Sequence, residues 1–503
     1  MSTSAGRQGT DEHSKNGQSR DEQSRDEASS HGGTAAGPPG RSARRRRTRL
    51  DVCAVAAAAL LFTAAALVGH AYDDSAQTLR LRWPPLYAYW MPHAGPGTVA
   101  APVVAVLVIV YGPRLAASLS WRALLCAAWA GAMAWSWALT LVDGWERGVA
   151  TRLTTAYEYL RSVGDVHDVG ATLRGFTGRI LMDAPDNWPP HVAGHPPAAL
   201  LTFVGLDRVG LGGGVWASVF VITAGTSAVA AVLIAVRALA SQETARRCAP
   251  YLVLAPSAVW AGVSADGYFA AVAAWALALL SLSASRTVRA PRCAALGSGL
   301  LFGLTCYLSY GLVLTGLLAL AVLAAARTVR PVPLVLLGMA PWFALFTAAG
   351  FWWFEGWSTL VERYYQGAAR VRPYGYFVWA NLAAQTAVAG PAVIASLRRA
   401  AASAGVRESW RGRKRGRVRD RAPEARREPW RRGLLLLVAG GVCCVLAADL
   451  SGMSKGETER IWLPFTLWLL PAAALLPRAT VRWWLAAQAA VALTVNHLLI
   501  TGW

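Results

Sequence analysis

The stretch WRALLCAAWAGAMAWSWALTLVDGWERG (121–148) contains both features that decide the fold of this chain. Its first part, 121–142, is a run of mostly apolar side chains that is long enough to cross a hydrocarbon layer of ~30 Å as a helix. Asp143 ends this run and opens a polar insert, which continues to Pro197 with further aspartates and histidines. A membrane chain rarely keeps such sequence beside its spans unless it handles a polar or reactive group there. The insert is therefore central to the function.

Similar apolar runs recur along the whole chain. It has 503 residues, of which 55% are hydrophobic and only 15% are charged. Runs of roughly 17–25 apolar residues predict transmembrane helices, and we count about thirteen of them. We therefore predict an all-α, polytopic transmembrane helix bundle. The predicted spans lie near 51–70, 98–118, 121–142, 214–237, 249–265, 267–285, 293–307, 309–326, 332–353, 375–397, 433–449, 461–477 and 483–501.

The N-terminal segment 1–48 differs in kind from the rest of the chain. It is rich in Ser, Gly, Asp, Glu, Gln and Arg and contains almost no aliphatic side chain. Because such a segment cannot bury enough apolar surface to fold, we predict a disordered tail ahead of a polytopic membrane domain, 49–503. The tail ends in the basic cluster Arg44–Arg47, which favours a cytoplasmic position for the N-terminus.

The distribution of arginine predicts the orientation of the whole chain. With Arg44–Arg47 inside, the short turns rich in arginine and the long basic linker 398–432 all fall on the cytoplasmic side. This positive-inside pattern is typical of a multi-pass protein of the cell membrane. It also explains the net charge of +21, so we expect the linker to contact anionic membrane lipids and we expect no nucleic-acid partner.

Most acidic residues of the membrane domain fall on the opposite, extracytoplasmic side. The cytoplasmic side offers arginine and little else, so we place the chemistry outside. The acidic segments are the loop 71–97, the insert with its continuation (143–213), the turn around Asp266, the aromatic loop 354–374 and the turn 449–460.

Within 143–213, the spacing of apolar residues predicts short helices on the membrane surface. Apolar side chains recur at roughly helical spacing among charges in 147–181, which is typical of interfacial amphipathic helices. Pro196 and Pro197 favour the start of another helix. The apolar stretch that follows is too short to span before Asp207, and a span there would place the arginines of 398–432 outside.

Several elements of the chain, in this order, resemble the GT-C superfamily of integral-membrane glycosyltransferases, which use polyprenyl-phosphate sugars. The first are an acidic residue at the outer end of an early span (Asp143), the insert of surface helices and the HPP helix start at His195. PSAVWAGVSADGYFAAVAAWAL (256–277) resembles a Pro-led span with an outer aspartate, and ERIWLPF (459–465) resembles the family's late arginine-plus-proline element. The chain is most similar to the protein O-mannosyltransferase and aminoarabinose-transferase branches and their actinobacterial relatives, over roughly residues 120–480.

The chain also departs from the family pattern. Asp143 is followed by Gly instead of the Glu of an Asp-Glu pair, and the nearest glutamate is Glu146. An additional hairpin, 51–118, precedes the span that would be the first in the family. Its outer loop carries Asp73 and Asp74, which compete with Asp143 as the acidic site.

The resemblance implies transfer of a sugar from a polyprenyl-phosphate donor to a glycan, lipid or protein acceptor, with inversion at the anomeric carbon. Such a reaction needs a base for the acceptor hydroxyl and cationic groups for the leaving phosphate. A carboxylate at a partly buried outer edge is a suitable base. Asp143 is the first candidate, with Glu146 and then Asp73 or Asp74 as alternatives.

The candidates for substrate binding lie further along the chain. The Arg460 guanidinium can bind two phosphate oxygens, with Lys455 and Glu459 beside it, although an arginine at a helix end can also simply snorkel. His195 either starts a helix or positions the acceptor or phosphate. Asp266 either caps the next helix or belongs to the site, or does both. A second option for the phosphate is the set of arginines in the aromatic loop, Arg363, Arg370 and Arg372.

We expect no cofactor and no metal. The histidines and aspartates of the insert could form a divalent-metal cluster, but no HExxH spacing accompanies them. Two other classes of protein share the multi-span pattern. One is a polymerase or ligase of lipid-linked polysaccharides, and the other is a transporter or flippase, which should show inverted repeats and ionisable groups near the bilayer midplane. The divalent-metal cluster named above would consist of the side chains of His167, His191, His195, Asp165 and Asp168.

Overall fold

The computed structural model describes residues 41–403 and 429–502, without the side chains of 41–44, 74–76 and 429. Most of the predicted disordered tail and the central part of the basic linker therefore lie outside the described residues. The first helix begins at Arg41, so the last residues of the predicted tail are helical. Residues Asp51–Trp503 form one unit, and every contact discussed below lies within it.

The predicted all-α fold class is confirmed for the part of the chain that the structure describes. The α-helices, numbered in chain order, are α1 Arg41–Ala76, α2 Gly97–Ser118, α3 Trp121–Thr140, α4 Val169–Gly175, α5 Pro190–Ala193, α6 Ala198–Arg208, α7 Gly214–Thr226, α8 Ala228–Leu239, α9 Gln242–Val253, α10 Ala258–Ala261, α11 Ala265–Ser285, α12 Pro291–Leu308, α13 Thr315–Ala326, α14 Val332–Ala348, α15 Trp353–Gln366, α16 Tyr374–Ala389, α17 Pro391–Ser403, α18 Pro429–Leu450, α19 Thr458–Ile461, α20 Leu463–Thr466 and α21 Val481–Leu498.

Short helices of other types and two strands connect these elements. The strands are β1 Ala88–Trp90 and β2 Leu499–Thr501. One π-helical turn covers Glu146–Ala150. The 3-10 turns are Leu141–Asp143, Arg152–Thr154, Tyr159–Ser162, Thr177–Arg179, Tyr310–Leu314, Ala368–Arg370, Leu470–Leu475 and Arg478–Thr480.

Six of the described helices are long and apolar enough to cross a membrane, and nine spans result if each of three bent helix pairs is counted as one. The chain is thus suited to a membrane, whereas the count of about thirteen spans stays a prediction. Two of the predicted spans, 249–265 and 461–477, are broken into short helices and turns. The six helices are Arg45–Asp73, Gly97–Ser118, Trp121–Asp143, Gly214–Leu239, Ala265–Ser285 and Trp430–Leu450.

A sharp break inside the predicted span 375–397 is stabilised by a side chain from another helix. Helices α16 and α17 meet at an angle of 109° at Gly390, whose φ of +83° favours glycine. The Gln488 side chain accepts a hydrogen bond from the Ala392 backbone N–H (3.1 Å) and donates one to the Ala389 carbonyl (3.0 Å). The amide therefore satisfies backbone groups that the break frees, as a membrane interior requires.

The centre of the bundle is helix α11, of which 78% is buried over its most apolar stretch. Its alanines give it a narrow cross-section, so neighbouring helices approach closely. On helix α12, the buried Ser298 hydroxyl donates a hydrogen bond across the interface to the Ala276 carbonyl of α11 (2.8 Å). Because Asp266 lies in the first turn of α11, the best-packed helix of the bundle holds this carboxylate in place.

A two-stranded ribbon joins the end of the chain to the first predicted outer loop. Strands β1 and β2 pair antiparallel, with Tyr89 opposite Ile500 and Trp90 opposite Leu499. The pairing continues beyond the strands, because the His93 backbone N–H donates to the His497 carbonyl (2.9 Å). The last helix therefore ends at the same end of the bundle as Asp143.

The insert differs from its predicted form. Its 147–181 part contains one α-helix, α4, together with short 3-10 and π turns, instead of a series of amphipathic helices. Its apolar residues Leu153, Leu173, Phe176 and Ile180 are buried in the main protein core, so they do not form a membrane-facing surface. The helix expected after Pro197 is present as α6.

Candidate active site

Asp143 forms a hydrogen-bonded pair with His93, which we call the Asp143 pair. Helix α3 continues into the 3-10 turn that ends at Asp143, and this turn points the carboxylate at the loop between β1 and α2. Oδ1 of Asp143 lies 2.7 Å from Nε2 of His93, and Nδ1 of His93 lies 2.7 Å from the Met91 carbonyl oxygen. The side chains are mostly buried, with 14% of Asp143 and 7% of His93 exposed.

The geometry of the Asp143 pair requires a proton between the two side chains. The Met91 carbonyl can only accept, so Nδ1 of His93 carries a hydrogen. Nε2 then needs either its own hydrogen, which makes an imidazolium facing a carboxylate, or a protonated carboxyl group opposite it. In both forms one transferable proton is held between Oδ1 and Nε2. The pair is therefore built to hold and release a proton.

The loop that carries His93 is fixed from both sides. On one side, the extension of the ribbon holds its backbone through His497. On the other side, Gly97 packs directly against helix α3, where a Cβ would overlap the Ala138 carbonyl oxygen and the Val142 backbone nitrogen. The close approach of this loop to α3 brings His93 within reach of Asp143.

Arg152 provides a positive charge that interacts electrostatically with Asp143. Its Nη2 donates a hydrogen bond to the Thr501 hydroxyl, a neutral partner. Burial lowers the pKa of Arg152, while the negative charges of Asp143 and then Glu158 act to raise it. Arg152 thus lies in the field of both carboxylates. On the neighbouring π turn, Nε of Arg147 is buried without a hydrogen-bond partner among the described residues.

A second cluster, which we call the Arg460 network, joins four buried side chains from three parts of the chain. Nη1 of Arg460 donates to Oδ2 of Asp266 (2.6 Å), and its Nη2 lies 3.2 Å from Nε2 of His191. Nδ1 of His191 lies 3.1 Å from Oε1 of Glu158. All four residues are less than a tenth exposed.

The hydrogen bonds of the Arg460 network define its protonation. The guanidinium can only donate, so Nε2 of His191 accepts and its Nδ1 carries the hydrogen that faces Glu158. Burial alone would raise the pKa of Glu158, but His191 and Arg460 lower it below its usual range. Burial alone would lower the pKa of Arg460, but the carboxylates of Asp266 and Glu457 outweigh it and raise the pKa. The network therefore holds two carboxylates around one guanidinium and a neutral histidine.

Asp266 does not cap the helix that it opens, contrary to one of the two predicted roles. The N-cap of α11 is Ser264, whose hydroxyl accepts a hydrogen bond from the Asp266 backbone N–H (3.1 Å). The Asp266 carboxylate is turned to Arg460 instead. The other prediction, that Asp266 belongs to the substrate site, stays a prediction.

His195 lies next to the Arg460 network but has no described side-chain hydrogen bond to it. Its Nδ1 donates to the His191 carbonyl (2.7 Å), and its ring packs against Tyr159 and Phe269, with centroids 5.8 and 5.6 Å away. Burial lowers the pKa of His195 to about 4. The ring is therefore neutral at physiological pH and supports the start of α6 through packing.

The two residues expected beside Arg460 point elsewhere. Nζ of Lys455 donates to the Ala369 carbonyl (3.0 Å), which ties the 451–457 turn to the end of the aromatic loop. Oε1 of Glu459 accepts from the Tyr87 backbone N–H (2.7 Å), whereas its Oε2 is buried without a hydrogen-bond partner within the described residues. Burial raises the pKa of Glu459 to about 7. Glu459 is thus a buried carboxyl group that is about half protonated near pH 7.

The alternative candidates for the base are not brought to the Asp143 pair by a described contact. Glu146 is exposed, and among the described residues its side chain has no hydrogen bond or ion pair. Asp73 is partly exposed near the end of α1, and the side chain of Asp74 lies outside the described part of the chain.

The arginines of the aromatic loop, the second option for the phosphate, have mainly backbone partners. Arg372 is buried, and it donates to the Leu79 carbonyl (2.8 Å) and to the Lys455 carbonyl (2.7 Å). Arg363 reaches the Trp188 carbonyl at 3.5 Å. Arg372 in particular connects three loops through these hydrogen bonds, so its role in the described structure is structural.

Three residues of these clusters were not among the sequence-based candidates. His93, Arg152 and Glu158 all lie in segments that were predicted to be outside. The one available signal was positional, since His93 lies just before the predicted span 98–118, on the same face as Asp143, in the segment WMPHAGPG. Glu158 stands between Tyr157 and Tyr159, where a helical pattern predicts a solvent-facing charge.

No metal centre appears among the described residues, because no group of three or more His, Cys, Asp or Glu side chains lies close enough together to hold an ion. Two cavities of about 630 and 500 Å³ open on the surface, and they are lined by other residues than those of the two clusters. No family model, curated protein or solved structure matches this chain.

Proposed function

We propose that this chain is a membrane glycosyltransferase that moves a sugar from a polyprenyl-phosphate donor to an acceptor hydroxyl. The reaction takes place at the end of the bundle that holds Asp143, which the arginine distribution predicts to be extracytoplasmic. The observation that carries the proposal is the Asp143 pair, a carboxylate and an imidazole 2.7 Å apart at the end of an apolar helix. The order of motifs that resembles the GT-C superfamily supports the same reaction class.

In the proposed reaction, the Asp143 carboxylate takes the proton of the acceptor hydroxyl on Oδ2, while the proton between Oδ1 and Nε2 of His93 stays in place. The acceptor oxygen forms a bond to the anomeric carbon while the bond between that carbon and the phosphate oxygen breaks. The electron pair leaves with the polyprenyl phosphate, and inversion results from this single displacement. In the imidazolium form of the pair, His93 carries the shared proton, so Asp143 is a carboxylate that can act as the base.

We assign the leaving phosphate to Arg152 in preference to Arg460. Arg460 already faces Asp266 and His191, so a phosphate would have to displace these partners. Arg152 uses one nitrogen on the neutral hydroxyl of Thr501 and lies in the field of Asp143. A phosphate dianion beside Arg152 would gain charge-assisted hydrogen bonds without breaking an ion pair. The Arg460 network then has a structural role, because it holds the insert on the bundle.

The experiment is a transfer assay in membranes with radiolabelled polyprenyl-phosphate sugars. Asp143→Asn keeps the shape of the side chain but lowers its proton affinity, so we expect transfer to fall by about 10²–10⁴-fold, the range of a general base. The matched control is Asp165→Asn, an exposed aspartate of the same insert. We expect this variant to transfer at the wild-type rate.

Three outcomes of this assay bear on the proposal. Transfer that is lost in Glu146→Gln and retained in Asp143→Asn, with both proteins present in the membrane, would move the base to Glu146. Equal loss in Asp143→Asn and Asp165→Asn would indicate damage to the insert instead of to a base. Absence of transfer by the wild type with every polyprenyl-phosphate sugar supplied would contradict the enzyme class.

A further inference from the structure

The larger cavity lies at the opposite end of the bundle from Asp143. It has a volume of about 630 Å³ and is bounded by the C-terminal end of helix α2, by helix α9 and by the segment that leads into α21. Helix α2 begins beside the Asp143 pair, and its residues Pro113 and Ala117 line the cavity, so the cavity lies roughly 24–30 Å away along the helix. That distance is close to the thickness of a membrane hydrocarbon core.

The lining of the cavity combines basic groups with an apolar wall. Arg247 and Arg478 provide the positive charges, and Glu243 provides one negative charge, which pairs with Arg478 (Nη2 to Oε1, 2.6 Å). A further arginine, Arg246, is held by the carbonyl oxygens at the end of α2. The apolar part of the wall consists of Pro113, Ala117, Pro250, Leu476 and Val481.

Arg247 and Arg478 both have guanidinium N–H groups that could bind an anion. Arg247 donates from Nη2 to the Leu476 carbonyl (2.7 Å), and within the described part of the chain its other nitrogens have no hydrogen bond. Burial lowers the pKa of Arg247 and the positive charge of Arg478 lowers it further, so an anion between the two arginines would relieve both effects. The two guanidinium groups thus form an incomplete anion site.

Tyr251 gives the site an independent, buried donor. Its ring is 2% exposed, and within the described part of the chain its hydroxyl has no hydrogen-bond partner although it lies in the wall of the cavity. A tyrosine hydroxyl can donate a hydrogen bond to an acceptor in the cavity. A buried donor without a partner is costly unless a ligand supplies the acceptor.

The surroundings of the cavity indicate a lipid rather than an ion from bulk water. Next to it, Tyr111 and Leu115 of helix α2 are about half exposed, and Trp483 at the start of α21 is 79% exposed. Exposed tryptophan at the end of a spanning helix is typical of the membrane interface, where headgroups lie. A phosphate in the cavity would therefore have acyl chains beside an apolar helix face.

We propose that this cavity binds the phosphate headgroup of an anionic lipid in the leaflet opposite the Asp143 end. Arg247 and Arg478 contact the phosphate oxygens, Tyr251 donates a third hydrogen bond, and the acyl chains lie along helix α2. The site is separate from the proposed reaction and does not depend on the reaction being correct.

The test uses the full chain, purified in detergent, and native mass spectrometry to count bound lipid. The probes are phosphatidylglycerol, phosphatidylcholine and inorganic phosphate. We expect the wild type to retain phosphatidylglycerol in preference to phosphatidylcholine. In Arg247→Gln the affinity for phosphatidylglycerol should fall about tenfold, the loss expected for one charge-assisted hydrogen bond.

Two further variants keep the test decisive. Arg478 is three-quarters exposed, so Arg478→Gln should fold normally and still weaken the retention of phosphatidylglycerol. Tyr251→Phe keeps the ring and removes only the donor. The matched control is Arg289→Gln, an exposed arginine in the turn after helix α11. It should bind as the wild type does.

The proposal is overturned if Arg478→Gln and Arg289→Gln retain the same amount of phosphatidylglycerol. It is also overturned if phosphatidylcholine is retained equally well, because the arginines would then not select for charge. Displacement of the lipid by inorganic phosphate alone at millimolar concentration would assign the cavity to a free anion and contradict the lipid. Loss of transfer activity in these variants bears on neither outcome.

Discussion

The Asp143 pair and the Arg460 network both join an acidic group to a histidine, but they differ in what surrounds them. In the network, Arg460 binds Asp266 and His191, His191 in turn contacts Glu158, and all four side chains are buried. In the pair, one carboxylate meets one imidazole at the edge of the bundle, and Asp143 keeps some exposure. A closed set of opposite charges favours a fixed structure, whereas a pair that shares a proton next to solvent is suited to proton transfer.

The elements that supply the two clusters differ in the same way. The network draws Asp266 from the first turn of the most buried helix and His191 from a short helix packed against the core. The pair draws His93 from a loop that the terminal strand holds in place. We infer that the network fixes the insert onto the bundle and that the pair performs chemistry. The predictions below separate these two roles.

The largest effect is expected from Arg460→Met. It leaves the Asp266 carboxylate buried without its cation, which costs about 3–5 kcal/mol in the free energy of unfolding. The melting temperature in detergent should fall accordingly. In Arg460→Met/Asp266→Asn the unpaired charge is gone, so most of the loss should be recovered. If the double variant is as unstable as the sum of the single variants, the ion pair does not carry the stability.

The second prediction concerns the contributions of Glu459 and His195 to the pH dependence of stability. Glu459 keeps its proton in the folded state up to about pH 7 but loses it near 4.5 when unfolded, so its contribution falls as the pH rises through this window. His195 is protonated near pH 6.5 when unfolded and near 4 when folded, so its contribution rises with pH over that window. Each effect amounts to about 3 kcal/mol at most.

Single variants should expose the two opposing slopes. In Glu459→Gln the His195 effect is no longer offset by Glu459, so relative to the wild type the melting temperature should rise more steeply between pH 4.5 and 6.5. In His195→Asn the Glu459 effect is no longer offset by His195, so relative to the wild type the melting temperature should shift downward as the pH rises from 4.5 to 6.5. The same pH profile in both variants would contradict the burial of these groups.

The smallest effect is expected from Gly97→Ala, which acts on the pair alone. The added Cβ would overlap the backbone of helix α3, so the loop must shift and carry His93 away from Asp143. We expect transfer to fall about tenfold because the reacting groups lose their alignment. The control is Gly164→Ala, where a Cβ would meet no atom within 4 Å. A similar loss in both variants would separate the pair from catalysis.

Local patterns in the sequence predicted the helices and the position of Asp143 at a helix end. Both features depend only on residues that are close together in the sequence, namely an apolar run and the first polar residue after it. Such local patterns do not predict which distant side chains pair with each other. Asp266 and Arg460 are 194 residues apart and His93 and Asp143 are 50 apart, so their contacts depend on how distant helices pack.

The surface prediction for the insert failed for a related reason. Helical spacing of Leu173 and Ile180 shows that one side is apolar, but it does not show what covers that side. In the structure the protein core covers it. For the same reason, the sequence did not predict that Glu158 is buried. It occupies a position where a charge is usually exposed, but its carboxylate is turned toward His191.

The most direct test of the account compares transfer rates of Asp143→Asn, His93→Gln and the double variant, each normalised to folded protein in the membrane. If the two side chains act as one proton-accepting unit, each single variant loses most of the activity and the double variant is little worse than Asp143→Asn alone. Losses that multiply in the double variant, or a wild-type rate in Asp143→Asn, would contradict the assignment of the Asp143 pair as the base.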